Sequence, residues 1–391
     1  MRTRQVVLFL ALALAIAAPA AARDEAVVQP AHPHMDIEHT VKAQQLLNQG
    51  ARFLVSQEKE GGGWSLMGPS DPAITGLVVR ALLNHPDYDV KSPIIQRGIK
   101  VILANQQEDG GIYNPRIGQQ NYTTAIGIMA LAATRDPQYK DEIEKAIGYI
   151  KKIQIVPGSQ SPSGGKVSEG HPFVGGTSYG KHGRPDLSNL GFSSEALHQA
   201  GVKPDDPFFQ NALVFASNTQ NLRETNKLAW VDQIGTNDGG FIYAPALGSD
   251  ITQPESKAGG GRSYGSMTYT GFKTLLYAGV DKNDPRVKGA YNWIRRYWRL
   301  DTNPNMPNAQ SKEGLYYYYH VFSKALEAYG QPVITDTKGQ KHNWREELVD
   351  ILAKKVNDNG SWDNDTQRWF EDNPILCTGY VLMALGEVLD K

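Results

Sequence analysis

A glycine-aromatic corner, written several times over, constrains this chain more than any other feature. Gln57 is followed by Gly61-Gly62-Gly63-Trp64. The phrase returns as "QQEDGGIYNP" from Gln106, "HPFVGGTSYG" from His171, "TNDGGFIYAP" from Thr236 and "NDNGSWDND" from Asn357. A weaker copy, "SKEGLYYYY", starts at Ser311. The landmark glycines Gly63, Gly111, Gly176, Gly240, Gly314 and Gly360 are spaced 48, 65, 64, 74 and 46 residues apart. A unit of roughly 45–50 residues carrying loop insertions accounts for that spread.

Each corner separates two helix-period segments of different character. The segment before it mixes charges with apolar positions, as in "YKDEIEKAIGYIKKIQ". These amphipathic segments are Ile37–Gln57, Ser92–Gln106, Lys140–Gln154, Pro207–Gln220, Pro285–Trp298 and Trp344–Val356. The segment after it is apolar nearly all round, as in "YTTAIGIMALAA" and "NPILCTGYVLMALGEVL". These are Ala73–Leu83, Tyr122–Ala133, Leu187–Ala200, Met267–Ala278, Leu315–Tyr329 and Pro374–Leu389. An amphipathic helix belongs on the outside and an all-apolar one within. Asp-Pro pairs such as Asp206-Pro207 and Asp284-Pro285 mark helix starts. The expected fold is therefore all-α: a closed α/α toroid of about six helical hairpins, with an outer and an inner ring, spanning 37–391. An open solenoid is the alternative. The glycines should let the chain reverse, the aromatic should pack on the neighbouring turn, and the Gln should bridge exposed helix-end groups.

The chain has 391 residues and a net charge of -1, with 40% hydrophobic and 21% charged residues. That balance, with no long basic run, excludes a polyanion-binding surface of the nucleic-acid type. Arg2 and Arg4, the apolar run Val6–Ala18 and Ala20-Ala21-Ala22 read as a secretory signal peptide over residues 1–22, followed by a linker at 23–36. Secretion or export to a periplasm follows, and no later stretch is apolar enough to span a membrane. Cys377 is the only cysteine, so core burial rather than disulfides must supply stability.

Gln-x(n)-Gly-x-Trp corners joining helical hairpins resemble the QW-type repeats of squalene–hopene and oxidosqualene cyclases, whose α/α toroid the protein prenyltransferases share. The match is clearest at Gln57…Gly62-Gly63-Trp64 and weaker at Gly111-Ile112-Tyr113 and Gly360-Ser361-Trp362. The resemblance covers about residues 37–391. It implies an apolar, isoprenoid-type small-molecule ligand, or a polymer, in the centre of the ring. Hopene-type cyclases protonate a polyene with Asp-x-Asp-Asp at the start of an inner helix. Here the counterpart is Asp186-Leu187-Ser188-Asn189, so the acid motif is degenerate. Prenyltransferases hold zinc with Asp, Cys and His; Asp372 and Cys377 are present, but only His320, in the preceding unit, is placed to join them. No metal and no cofactor is expected.

Residue chemistry nominates Asp186, Glu195 and His182 as catalytic groups: two carboxyls on an inner helix and a His beside one of them. Tyr179, Tyr264, Tyr269, Tyr316, His320, Trp362 and Trp369 are the ligand-binding candidates, forming an aromatic mouth. The segment "WDNDTQRWFEDNP" also sets Asp363, Asp365, Glu371 and Asp372 among aromatic rings, an arrangement that carbohydrate-active α/α barrels use. A non-catalytic binding or scaffold protein, or a polysaccharide lyase or hydrolase on the same architecture, are the alternatives.

Overall fold

The computed structural model describes residues 32–391, apart from 163, 181, 182 and 249. The expected signal peptide lies outside the described residues, as does His182. The described residues form one unit.

Six helices are inner: α2 (Pro72–Leu82), α4 (Gln120–Ala133), α6 (Leu187–Gln199), α9 (Gly265–Tyr277), α11 (Leu315–Tyr329) and α13 (Pro374–Val388). Six are outer: α1 (Ile37–Ser56), α3 (Pro93–Leu103), α5 (Lys140–Ile153), α7 (Pro207–Thr219), α10 (Pro285–Arg296) and α12 (Trp344–Ala353). The inner helices pack side by side in chain order, and α13 then packs on α2, which closes the ring. Each of α3, α5 and α10 leans on the inner helix before it, and α1 leans on α13. The first hairpin is thus clasped by the last.

The division follows from the side chains. Every residue of α2 is buried, as are ten consecutive residues of α13 from Ile375 to Ala384. In α5 only Ala146, Tyr149, Ile150 and Ile153 are buried, a single stripe on a charged helix. Asp36, Asp71, Asp186, Asp206, Asp284 and Asn373 each accept a first-turn N–H and so start a helix. Five of the twelve helices place Pro in that first turn, where its missing N–H is harmless.

The corners hold the hairpins together. Gln106 Nε2 donates to the carbonyls of Gly110 and Glu142, at 3.1 and 2.9 Å. Gln154 does the same to Gly175 and Phe208, and Gln220 to Gly239 and Arg286. Each amide thus staples its own corner to the next outer helix. Gln57 is the exception: it is exposed and its amide meets only Ser56 among the described residues, while an Arg97–Glu58 ion pair joins those two outer segments. The aromatics are buried as expected, but they look back along their own hairpin. Trp64 and Trp362 each donate Nε1 to a carbonyl ten residues earlier, Leu54 at 2.7 Å and Leu352 at 2.9 Å. In four corners a threonine hydroxyl of the inner helix accepts the N–H of the corner residue: Thr75 from Trp64, Thr124 from Ile112, Thr268 from Phe241 and Thr378 from Trp362.

The glycine pairs divide their work. Gly175 takes a left-handed φ of 85°, whereas a Cβ on Gly176 would meet Pro185 and Phe215 at 2.6 and 2.7 Å. One residue turns the chain and the other lets the layers touch. Two small elements were not expected from periodicity: α8 (Ala229–Gln233), within an insertion, and a hairpin of β1 (Val333–Thr335) with β2 (Lys341–Asn343). Asp336 Oδ1 accepts from the N–H groups of Lys338 and Gln340, and Gly339 has φ 85°, so the hairpin is made by its turn rather than by its strands. Among the described residues no helix is long and apolar enough to cross a membrane.

Candidate functional site

The inner helices all start at one end of the ring, and the long loops that precede them gather there. They enclose a cavity of about 410 Å³. Its wall is aromatic. Tyr122 from α4, Phe192 from α6, Tyr317 from α11 and Tyr380 from α13 supply the helical part. Tyr122 and Phe192 meet edge to face at 4.6 Å, Phe192 stacks on Tyr317 at 5.7 Å, and the Tyr122 and Tyr380 hydroxyls are 2.8 Å apart. Tyr179 and Tyr243 come from the loops and Tyr264 from the start of α9. The rim is apolar and open to solvent: Met67 is 79% exposed, Phe370 54% and Trp369 39%, with Ile117 beside them.

Polar groups are few and held. Ser188 donates to the Tyr317 hydroxyl at 3.2 Å, and that hydroxyl also lies 3.2 Å from Thr270 Oγ1. Asp71 caps α2 through the N–H groups of Ala73 and Ile74. Glu371 is the one wall carboxyl that is almost fully buried, at 1% exposure. Its Oε1 accepts the N–H groups of Tyr316 and Tyr317 at 3.0 and 2.9 Å, and Oε2 accepts Asn364 Nδ2 at 2.6 Å. It therefore caps α11 from the loop that leads into the neighbouring α13. Burial pushes its carboxyl up to about 7, against the pull of those donors.

Of the sequence candidates, Tyr179, Tyr264 and Trp369 line the cavity. The others stand elsewhere, each for a physical reason. Asp186 is 1% exposed and outside the wall. Its carboxylate accepts the N–H and Nδ2 of Asn189, both at 2.9 Å, so it caps α6. Burial raises its carboxyl above the ordinary value, with hydrogen bonds from Asn189 and Tyr243 opposing. Trp362 is fully buried in its own hairpin. Tyr269 packs on Tyr318 and Phe322, and Tyr316 lies edge-on to Tyr319, both within the core.

Glu195 and His320 lie deeper along the ring axis, beneath the cavity floor. His320 stacks under Phe192 and Tyr380. Its Nε2 is 3.4 Å from Glu195, which is ion-paired with Lys273 and lies 3.6 Å from Lys324. All four side chains are at most 3% exposed. Burial pushes the Glu195 carboxyl up, but Lys273, His320 and Lys324 together hold it well below its usual range. Burial lowers His320, with Glu195 pulling the other way. This layer plugs the centre, so the cavity is a cup and not a channel.

The residues that sequence reasoning did not nominate, Tyr122, Phe192, Tyr243, Tyr317 and Tyr380, make up much of the wall. A signal for them existed. Ser188, Phe192, Glu195 and Gln199 recur at helical spacing down α6, as do Tyr317, His320 and Lys324 down α11. Each set runs along one face from the cup through the charged layer to the far mouth.

No protein-family model matches the chain, and no curated protein is similar to it in sequence. Solved structures do match in fold. The type II terpene cyclase MstE from Scytonema, without ligand, aligns at TM-score 0.55 and 13% identity, over 90% of this chain and 98% of that one. A novel α-amylase from Clostridium perfringens aligns at TM-score 0.54 and 11% identity, over 92% of this chain and 99% of that one. A variant of MstE bound to its substrate, geranylgeranyl dihydroxybenzoate, aligns at 0.52 and 11%, over 90% and 99%. At such identities the likeness is one of fold, the terpene-cyclase-like α/α toroid.

Proposed function

We propose that this protein is exported, by a signal peptide at residues 1–22, and takes an elongated apolar ligand of the isoprenoid class into the tyrosine-walled cup. The observation that carries this reading is the cup itself: an aromatic wall of Tyr122, Phe192, Tyr317 and Tyr380 under an exposed apolar rim. Its volume falls within the roughly 300–1,000 Å³ of small-molecule sites. Two features argue against polyene protonation. Asp186 is spent on a helix cap, and Ser188, which does reach the wall, is no Brønsted acid near neutral pH. Glu371 is the acid–base group of the cup, suited to exchanging a proton with the ligand's polar end.

A second reading, a glycan laid across the rim, draws support from the exposed Trp369 and Phe370 beside Glu371. Glycoside hydrolysis needs two carboxyl groups facing one bond, and Asp186 lies outside the wall. The deciding experiment incubates the mature protein with polyprenyl alcohols, squalene and a polysaccharide panel, followed by native and product mass spectrometry. The expected result is a retained polyprenyl adduct that Phe192→Arg abolishes. Glycan cleavage without any lipid adduct would overturn the isoprenoid reading.

A further inference from the structure

The far mouth of the ring, where the inner helices end, holds a second cavity of about 430 Å³. Its character is opposite to that of the cup. Arg80 from α2, Arg135 just beyond α4, His198 from α6, and Lys324 and Glu387 from α11 and α13 line it. Part of this charge is explained by the fold, because helix C-termini favour cations. The rest is not.

Arg80 is 9% exposed. Its guanidinium donates one hydrogen bond to Asn84 Oδ1, and Asn84 is itself tied by Nδ2 to the Leu382 carbonyl at 3.1 Å. The buried Nε–H has no hydrogen-bond partner, and among the described residues Arg80 forms no ion pair. A guanidinium carries five N–H donors and stays charged in proteins. Leaving it buried without an anion is costly. The acids near it, Glu387 and Glu195, act on it only through space, without an ion-pair contact. Glu195 is engaged by Lys273, Glu387 by Lys324 at 2.5 Å, and Glu327, at the edge of the cavity, by Arg345. Lys273 and Lys324 are committed to Glu195 and Glu387, and Arg345 to Glu327 and Asp390, whereas Arg80 has no carboxylate in ion-pair contact among the described residues. Arg135 adds a second guanidinium at the rim, exposed and held out on a left-handed residue with φ 55°.

We infer that this charged cavity is a binding site for a small oxyanion, a carboxylate or phosphate group, gripped by Arg80 and covered by Arg135. Both guanidiniums match such a group through paired N–H donors. The site is separate from the cup and does not rest on the isoprenoid reading.

Isothermal titration of the mature protein with inorganic phosphate, and in parallel with succinate, tests this and tells the two oxyanion sources apart. Saturable binding of at least one is expected. Arg135→Gln changes an exposed side chain and should leave the fold intact while weakening binding several-fold. Arg80→Met, which keeps the stem and removes the charge, should weaken it by about tenfold or more. Circular dichroism checks that each variant is folded. Absence of binding by either anion at millimolar concentration would overturn the site, as would equal affinity in the wild type and Arg135→Gln. A thermal shift of the same size in wild type and Arg80→Met would assign the effect to general salt exclusion and overturn it too.

Discussion

Glu371 concentrates the chemistry of the cup in one side chain. Its native carboxyl titrates near 7 against an ordinary 4.5, so the folded protein binds that proton more tightly than the unfolded chain does. The sign follows: this group's contribution to stability is greatest below about 4.5, declines as pH rises, and levels off above about 7. The full decline is about 3 kcal/mol for a shift of this size. Glu371→Gln keeps an acceptor for the Tyr316 and Tyr317 N–H groups and cannot ionise. Denaturant midpoints measured from acid to neutral pH should therefore show the variant gaining on the wild type as pH rises. A constant difference across that range would mean that the carboxyl titrates normally. Glu371 was visible in the sequence only as one of four acids in an aromatic-rich loop. What distinguishes it, the N–H groups of α11 closing on it, is a contact made across fifty-odd residues of chain.

At the scale of the hairpin, the amide staples explain why the units stack in register. Gln220 joins its own corner to α10 through two carbonyls and is buried. Gln220→Ala leaves both without that donor and should cost about 1–3 kcal/mol. Gln57→Ala removes an exposed amide with a single local bond, so its midpoint should stay within about 0.5 kcal/mol of the wild type. Equal losses at the two positions would show that the staple is not what binds neighbouring hairpins. The helix pairs themselves were legible in the sequence almost residue for residue; α11 spans Leu315–Tyr329 as its periodicity indicates. Periodicity works here because an outer helix is wetted on one side and an inner helix on none. It fails for Trp362, because a buried aromatic and a cavity aromatic share one composition. It also fails to separate Tyr316 from Tyr317, adjacent rings of which one points to the core and one to the axis. That choice rests on the direction of the ring axis, which the spacing of a single helix does not define.

The whole ring is organised as two cups set back to back, one aromatic and one ionic, with Glu195, Lys273, Lys324 and His320 as the partition. The two halves use the same six helices, so the axial stripe of each helix changes chemistry along its length. The partition was not foreseen, since Lys273 and Lys324 in isolation look like solvent-facing positions of their helices. The ring is also held shut by its ends. His32 Nε2 is 2.9 Å from Asp390, Asn343 donates to the His34 carbonyl at 2.9 Å, and the Asp36 N–H meets Glu346 at 3.0 Å. A ring whose first and last described segments already touch has no obligatory starting point. Tethering Lys391 to His32 by a short linker and opening the exposed turn at Lys203–Asp205 should give a permuted protein with the same helical circular dichroism and one cooperative unfolding transition. A permutant that stays unfolded would mean that the order in which hairpins are made, and not only the seam that joins them, determines whether the circle forms.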